Sequence, residues 1–244
     1  MEVILPKSSD RESFIRESQS GAFDGVKAAY RTFASLSITG RWDTELVNAL
    51  PSSLEFCSHN GAGYDSIDIP ACSARKPPIR VSNVPHEVDD STADTAVFLL
   101  LGALRNFNVS MHALREGKWR GEKPPAWGHD PQGKTLGILG MGGIGRNMKQ
   151  KCDVFGMKTI YHNRSKLSDE LAAGAEYVEF EELLKRSDVL SLNLPLNVSC
   201  SISRFVRHGP RVFMLLDDGV KCFLASHDPP LSGFLIPFMT PQLT

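Results

Sequence analysis

Three stretches of this 244-residue sequence combine residue types and spacings suited to chemistry. Gly140-Met141-Gly142-Gly143-Ile144-Gly145 is a G-x-G-x-x-G that directly follows the apolar run Thr135-Leu136-Gly137-Ile138-Leu139 and opens a helical pattern. The first glycine allows a tight strand-to-helix turn. The second keeps side chains away from a pyrophosphate, and the third lets helix and strand pack closely. A diphosphate can then sit on the helix N-terminus, where free N–H groups and the dipole favour negative charge. About 20 residues on, the strand Lys158-Thr159-Ile160-Tyr161 ends in His162-Asn163-Arg164-Ser165-Lys166, with no carboxylate to meet a ribose 2′-hydroxyl. An arginine there suits a 2′-phosphate, so NADP is expected ahead of NAD, with a solvated basic loop as the competing reading. The third stretch, His59-Asn60-Gly61-Ala62-Gly63-Tyr64-Asp65, follows the strand-like run Leu54-Glu55-Phe56-Cys57. Beyond the carboxyl end of a parallel strand, such a loop offers backbone N–H groups to a small carboxylate at Gly61, Ala62 and Gly63. A tight turn that needs positive φ at glycine would explain the same residues.

The elements that must hold these stretches alternate between strand and helix patterns. Strands are expected at Glu2 to Leu5, Val26 to Tyr30, Leu54 to Cys57, Ile79 to Ser82 and Val189 to Leu194, the last closed by Pro195. Helices are expected at Asp10 to Ser18, behind the capping-box pattern Ser9-x-x-Glu12, and from Asp43, with Leu46, Val47 and Leu50 inward. Another follows Ser91, where Ala93, Ala96, Val97, Leu100, Leu101 and Leu104 give a broad apolar face, and shorter ones start at Ser168 and Glu179. In the helix after the glycine motif, Ile144, Met148, Cys152 and Phe155 form one face and Gly156 is placed to end it. Asn83-Val84-Pro85 reads as a hinge, and Glu116 to Lys134, rich in Gly and Pro, as a long loop. The alternation implies parallel sheets covered by helices.

Composition sets outer bounds. A chain that is 41% hydrophobic and 23% charged can bury a core, and 27 basic against 28 acidic residues leave no electrostatic footprint for nucleic acid. The start lacks a long apolar run and no stretch of 18 apolar residues exists, so the expectation is a soluble, cytoplasmic protein without a membrane partner. Five cysteines without a C-x-x-C pair suggest reduced, mostly buried thiols, with no metal site.

Taken together, the blocks resemble the D-isomer-specific 2-hydroxyacid dehydrogenases, in particular their glyoxylate/hydroxypyruvate reductase branch. The resemblance runs from about residue 3 to Asn197. It rests on Asn60 to Asp65, on Val81-Ser82-Asn83-Val84-Pro85 with Thr92-Ala93-Asp94, on the dinucleotide fingerprint, and on Ser187 to Asn197. It implies an α/β fold of two Rossmann-like parallel-sheet domains with a cleft between them, the second incomplete. Residues 1–85 would bind substrate, 86–198 NAD(P), and 199–244 form a divergent tail. It also implies a homodimer built on the cofactor domains and hydride transfer between NAD(P) and a small 2-oxo or D-2-hydroxy acid. Gly61, Ala62 and Gly63 match the substrate-carboxylate loop. Thr92, Gly140, Gly142, Gly143, Ile144, Gly145, His162, Asn163, Arg164, Leu194, Pro195 and Asn197 match cofactor-lining positions.

The departure falls after Asn197, where the chain is expected to be truncated and divergent. Family members carry an arginine in an N-x-A-R-G setting, then a glutamate that orients a histidine, and that histidine protonates the carbonyl oxygen. None of the three has a match, and His208, His227, Arg204, Arg207 and Arg211 lack the expected contexts. No catalytic residue is therefore assigned. A dinucleotide-binding protein without catalysis, or an inactive family member, stands as the alternative. Arg211 to Leu216 is the one strand-like run of the tail, and the beginning looks one strand short of the family pattern.

Overall fold

The computed structural model describes residues 2–120, 127–194 and 212–215. The chain divides into two compact units, Met1–Glu87 and Val88–Thr244, each built on its own parallel sheet.

In the first unit, helix α1 (Arg11–Gln19) precedes strand β1 (Ala28–Thr32), a 3₁₀ turn at Phe33–Ser35 and helix α2 (Leu36–Thr39). Helix α3 (Thr44–Ala49), β2 (Phe56–Asn60), α4 (Ile69–Ala74) and β3 (Arg80–Ser82) follow, with the strands in the order β1-β2-β3. Leu46, Val47 and Leu50 point inward as expected and join Trp42, Leu54, Cys57, Ile67 and Ile79 in the core. Three expectations need correction. Residues 2–5 form no strand: Val3 and Leu5 are exposed, and the segment is tied instead to α1 through the Glu17 carboxylate, which accepts from the amides of Lys7 and Ser8 at 3.0 Å. The cap of α1 is Asp10, in a capping box with Ser13, because the chain is extended through Asp10 and turns helical only at Arg11. Strands β1 and β2 lie about two residues later than their apolar runs, since buried Leu54 belongs to the turn before β2.

The second unit starts with α5 (Asp89–Leu104) and α6 (Phe107–Arg115). It continues through β4 (Thr135–Leu139), α7 (Gly143–Asp153), β5 (Lys158–His162), α8 (Asp169–Ala172), β6 (Glu176–Tyr177), α9 (Phe180–Arg186), β7 (Val189–Leu192) and β8 (Val212–Leu215). All pairings are parallel, in the order β6-β5-β4-β7-β8. That is the doubly wound order, in which the chain first winds one way from β4 and then returns to the other side at β7. Both sheet faces are covered. Leu100, Leu136, Ile138, Met141, Met148 and Cys152 pack on one, and Leu139, Ile160, Leu183, Leu190 and Leu192 on the other. The buried face of α7 is Gly145, Met148, Lys149 and Cys152, whereas Ile144 is only half-buried and Phe155 lies exposed beyond the helix end. Gly156 does take up a left-handed φ of +69° just after that end. Helix α6 and the short β6 lie in stretches to which the sequence reading assigns no element, outside the loop expected at Glu116 to Lys134. β8 coincides with the strand-like run of the tail and extends the parallel sheet beside β7.

Candidate cofactor and carboxylate sites

Ligands of doubly wound sheets lie beyond the carboxyl ends of the strands, where the winding direction switches. In the second unit that place is the end of β4 and β7, and the glycine motif occupies it. Gly140 adopts a φ of +88°, and a Cβ there would stand 2.7 Å from the Asn193 carbonyl oxygen and 2.8 Å from Leu194 Cδ2. This glycine serves the turn itself. A Cβ at Gly145 would stand 3.0 Å from the Gly140 carbonyl oxygen and from Ile138 Cγ2, so its absence lets α7 pack close to β4. Gly142 differs from both: its φ is −82°, and a Cβ would meet nothing within 4 Å. The uncovered backbone at Gly142 and the first-turn amides of Gly143, Ile144 and Gly145, which have no intrahelical acceptor, fit a diphosphate. Gly143 has a different use, since a Cβ there would collide with the Asp89 carboxylate. Its missing side chain makes room for the start of α5. On α5, Thr92 is half-buried, Ala93 is buried, and Asp94 joins Asp90 in holding Lys151 of α7 at 2.5 Å.

The end of β5 separates the three residues proposed to select the cofactor. Asn163 Oδ1 accepts the Met141 amide at 2.7 Å and so pins the glycine-rich loop. His162 Nδ1 lies 2.9 Å from the Val178 carbonyl, and its ring stacks on Tyr177 at 5.7 Å. Both side chains are engaged within the protein. Arg164, Ser165 and Lys166 are exposed, and Arg164 has no hydrogen-bond or ion-pair partner among the described residues. Leu194 lies against Gly140, while Pro195 and Asn197 fall outside the described residues.

In the first unit, the loop after β2 is organised by its carbonyls. The Gly61 carbonyl accepts the Val84 amide at 3.0 Å, the Ala62 carbonyl accepts Asn83 Nδ2 at 2.8 Å, and the Gly63 carbonyl is 2.9 Å from His59 Nε2. A trans peptide holds its N–H opposite its C=O. Three anchored carbonyls therefore turn the next three amides, those of Ala62, Gly63 and Tyr64, the other way. These amides donate to nothing among the described residues, which leaves three neighbouring backbone donors for an anion. The Gly61 amide is not part of it, because it bonds to the His59 carbonyl at 3.1 Å. Gly61 is also not a positive-φ glycine. It is needed because a Cβ would stand 2.6 Å from Phe33 Cε2 and 2.8 Å from His59 Nε2. The donors thus shift one residue along from the expected Gly61, Ala62 and Gly63.

Sequence reasoning missed the anchors: Asn83, the Val84 amide and His59. His59 Nδ1 lies 3.2 Å from Arg31 Nη1, and since a guanidinium only donates, Nδ1 accepts and Nε2–H donates to Gly63. Burial first, and the Arg31 charge second, hold His59 below the usual imidazole range, which keeps it neutral. Burial pushes the Cys57 and Cys152 thiols up to about 12, so both stay protonated. Among the described residues no cluster of His, Cys, Asp and Glu could hold a metal ion, and no single helix is long and apolar enough to cross a membrane.

Residues 97–201 match the family model described as D-isomer specific 2-hydroxyacid dehydrogenase, NAD binding domain. The chain is 50% identical over 215 residues to 4-methyl-2-oxopentanoate reductase A of Aspergillus oryzae, a match covering 87% of this chain and 62% of that protein. It is 48% identical over 201 residues to glyoxylate reductase 1 of Saccharomyces cerevisiae, covering 80% of this chain and 57% of that protein. Among solved structures, a glyoxylate reductase from Paecilomyes thermophila superposes with a TM-score of 0.74 at 50% identity, over 82% of this chain and 59% of that one. The chain thus spans about three fifths of the length of these relatives.

Proposed function

The chain belongs to the D-isomer specific 2-hydroxyacid dehydrogenase family, and on that premise we propose that it carries the cofactor-binding and carboxylate-binding parts of an NAD(P)-dependent reductase of small 2-oxo acids such as glyoxylate or hydroxypyruvate. The observation that carries this reading is the amide set of Ala62, Gly63 and Tyr64, whose carbonyls are all tied back into the protein. A carboxylate is the part that every 2-oxo acid shares, and backbone donors read it without regard to the rest of the substrate. That fits similarity to reductases named for substrates as different as glyoxylate and 4-methyl-2-oxopentanoate.

In the second unit, Gly142 and the first turn of α7 would hold the diphosphate, with Gly140, Gly145 and Asn163 shaping the loop. Exposed Arg164 would take the 2′-phosphate, which makes NADP the preferred cofactor and NAD the weaker one. Thr92, Leu194, Pro195 and Asn197 are assigned to the cofactor by family position. A bound nicotinamide supplies the hydride that reduces the 2-oxo carbon, while the loop amides orient the acid. Exposed Phe98, Phe107, Met111 and Leu114 on α5 and α6 support a homodimer formed through this unit. Calorimetric titration of the whole chain with NADPH, NADH and then oxalate, a small dicarboxylate that mimics a 2-oxo acid, tests the assignment. NADPH should bind more tightly than NADH, and oxalate should bind saturably. A chain that binds NADPH but not oxalate would have lost the carboxylate site, and one that binds neither nucleotide would defeat the reading altogether.

A further inference from the structure

Strand pairing puts Arg31 of β1 directly opposite His59 of β2, one residue before the carboxyl ends of both strands. Each side chain is only 1% exposed. Arg31 Nη1 meets His59 Nδ1, but Nε and Nη2 of the guanidinium find no partner among the described residues, and Arg31 forms no ion pair among them. A buried cation without a carboxylate is costly, and an apolar side chain would fill the same place in a sheet core at lower cost. Packing therefore gives no reason for an arginine at this register, whereas the loop it supports does. From Arg31 the chain of contacts runs through His59 to the Gly63 carbonyl and so to the orientation of the Tyr64 amide.

We propose that Arg31 is a positioning residue of the carboxylate site: through His59 it fixes the Gly63 peptide, and its own charge, uncompensated by any contacting carboxylate, favours an acidic ligand at the amides of Ala62, Gly63 and Tyr64. The proposal rests on the carboxylate reading given above and adds to it the device that holds the donors in place. Because a guanidinium stays protonated at every working pH, the His59 tautomer is set without dependence on pH. The groups facing His59 are Arg31 from β1, Asp65 from the loop and the Phe33 ring, edge-on at 5.2 Å, while Cys57 of β2 faces Arg31. The Cys57 thiol is held protonated by burial, so it adds no charge.

The test is oxalate titration of the whole chain, with NADPH titration and thermal unfolding run in parallel. Arg31→Met removes the charge while filling the space, and should leave unfolding cooperative and NADPH binding unchanged. Oxalate should bind roughly ten- to a hundredfold more weakly near pH 8. With Arg31 gone, burial alone still holds His59 below the usual imidazole range, so affinity should begin to recover only as the pH falls below about 5.5 and a positive charge reappears behind the loop. Wild-type affinity should show no such step, and Arg31→Lys should regain most of the loss at pH 8. Equal oxalate affinity in wild type and Arg31→Met would overturn the role of Arg31 and leave the carboxylate site standing. A loss that neither low pH nor lysine relieves would mean a purely structural role. Wild type that binds NADPH but no oxalate removes the site itself. Should Arg31→Met not fold, nitrogen NMR of the wild-type His59 ring decides: the proposal requires an unprotonated Nδ1, a protonated Nε2 and a response to oxalate, and a ring that is silent to oxalate overturns it.

Discussion

Substituting Gly142 by alanine separates the fold from the ligand more cleanly than any other change in the glycine motif. Its φ of −82° and ψ of −150° suit any residue, and an added Cβ meets nothing within 4 Å, so the ligand-free protein should be as stable as wild type to within about 0.5 kcal/mol. A diphosphate on the first turn of α7 would meet that methyl group. Backing away from it loses at least one charge-assisted hydrogen bond to the backbone, about 1.5–3 kcal/mol, or roughly ten- to 150-fold in affinity for NADPH and NADH alike. Gly140→Ala provides the contrast. A residue forced to φ +88° costs about 1–2 kcal/mol in backbone strain, and a Cβ 2.7 Å from the Asn193 carbonyl oxygen meets backbone that cannot swing aside. Stability should fall by about 2–4 kcal/mol and nucleotide binding with it. The assay is thermal unfolding of both variants beside fluorescence titration with NADPH. If Gly142→Ala unfolds like wild type and also binds NADPH like wild type, the diphosphate does not sit on this turn.

Three other expectations follow from the same geometry. Arg164→Ala should weaken NADPH by about 1.5–3 kcal/mol while leaving NADH nearly untouched, because the side chain is exposed and has no structural partner to lose; equal losses for both nucleotides would refute its role. Gly61→Ala should destabilise the first unit by about 1–3 kcal/mol through overlap with Phe33 and His59, and should abolish oxalate binding while sparing NADPH; unchanged oxalate affinity would show that the carbonyl anchors are not needed. The 244-residue chain assayed alone should reduce glyoxylate at a trace of an ordinary enzyme rate, since a positioned general acid contributes about 10²–10⁴-fold and neither it nor the arginine clamp has a match after Asn197. A turnover above about 1 s⁻¹ would mean that residues 198–244 supply groups with no family signature.

What the sequence made legible was local. Gly140 to Gly145 could be placed because the strand before it, the helix after it and the turn all lie within about 20 residues. The inward face of α3 followed from spacing alone. Misreadings arose where tertiary partners decide. Val3, Ile4 and Leu5 have the composition of a strand, yet a strand requires a neighbour, and the Glu17 carboxylate holds the adjoining Lys7 and Ser8 amides instead. Helix α6 shows Phe107, Met111 and Leu114 at helical spacing, but its break from α5 at left-handed Asn106 has no glycine to announce it. The carboxylate loop was found by its glycines, whereas its working parts were hidden. Asn83 and Val84 lie more than 20 residues on, and Arg31 faces His59 only because β1 and β2 pair in that register.

The central claim is that one chain presents two backbone sites, one for a dinucleotide diphosphate and one for a small carboxylate. Amide proton–nitrogen correlation spectra of the whole chain, titrated first with NADPH and then with oxalate, test it residue by residue. The amides of Gly143, Ile144 and Gly145 should move with NADPH, and those of Ala62, Gly63 and Tyr64 with oxalate, while the Gly61 amide, already bonded to His59, moves least. Oxalate shifts confined to other residues, or NADPH shifts that bypass the first turn of α7, would contradict it.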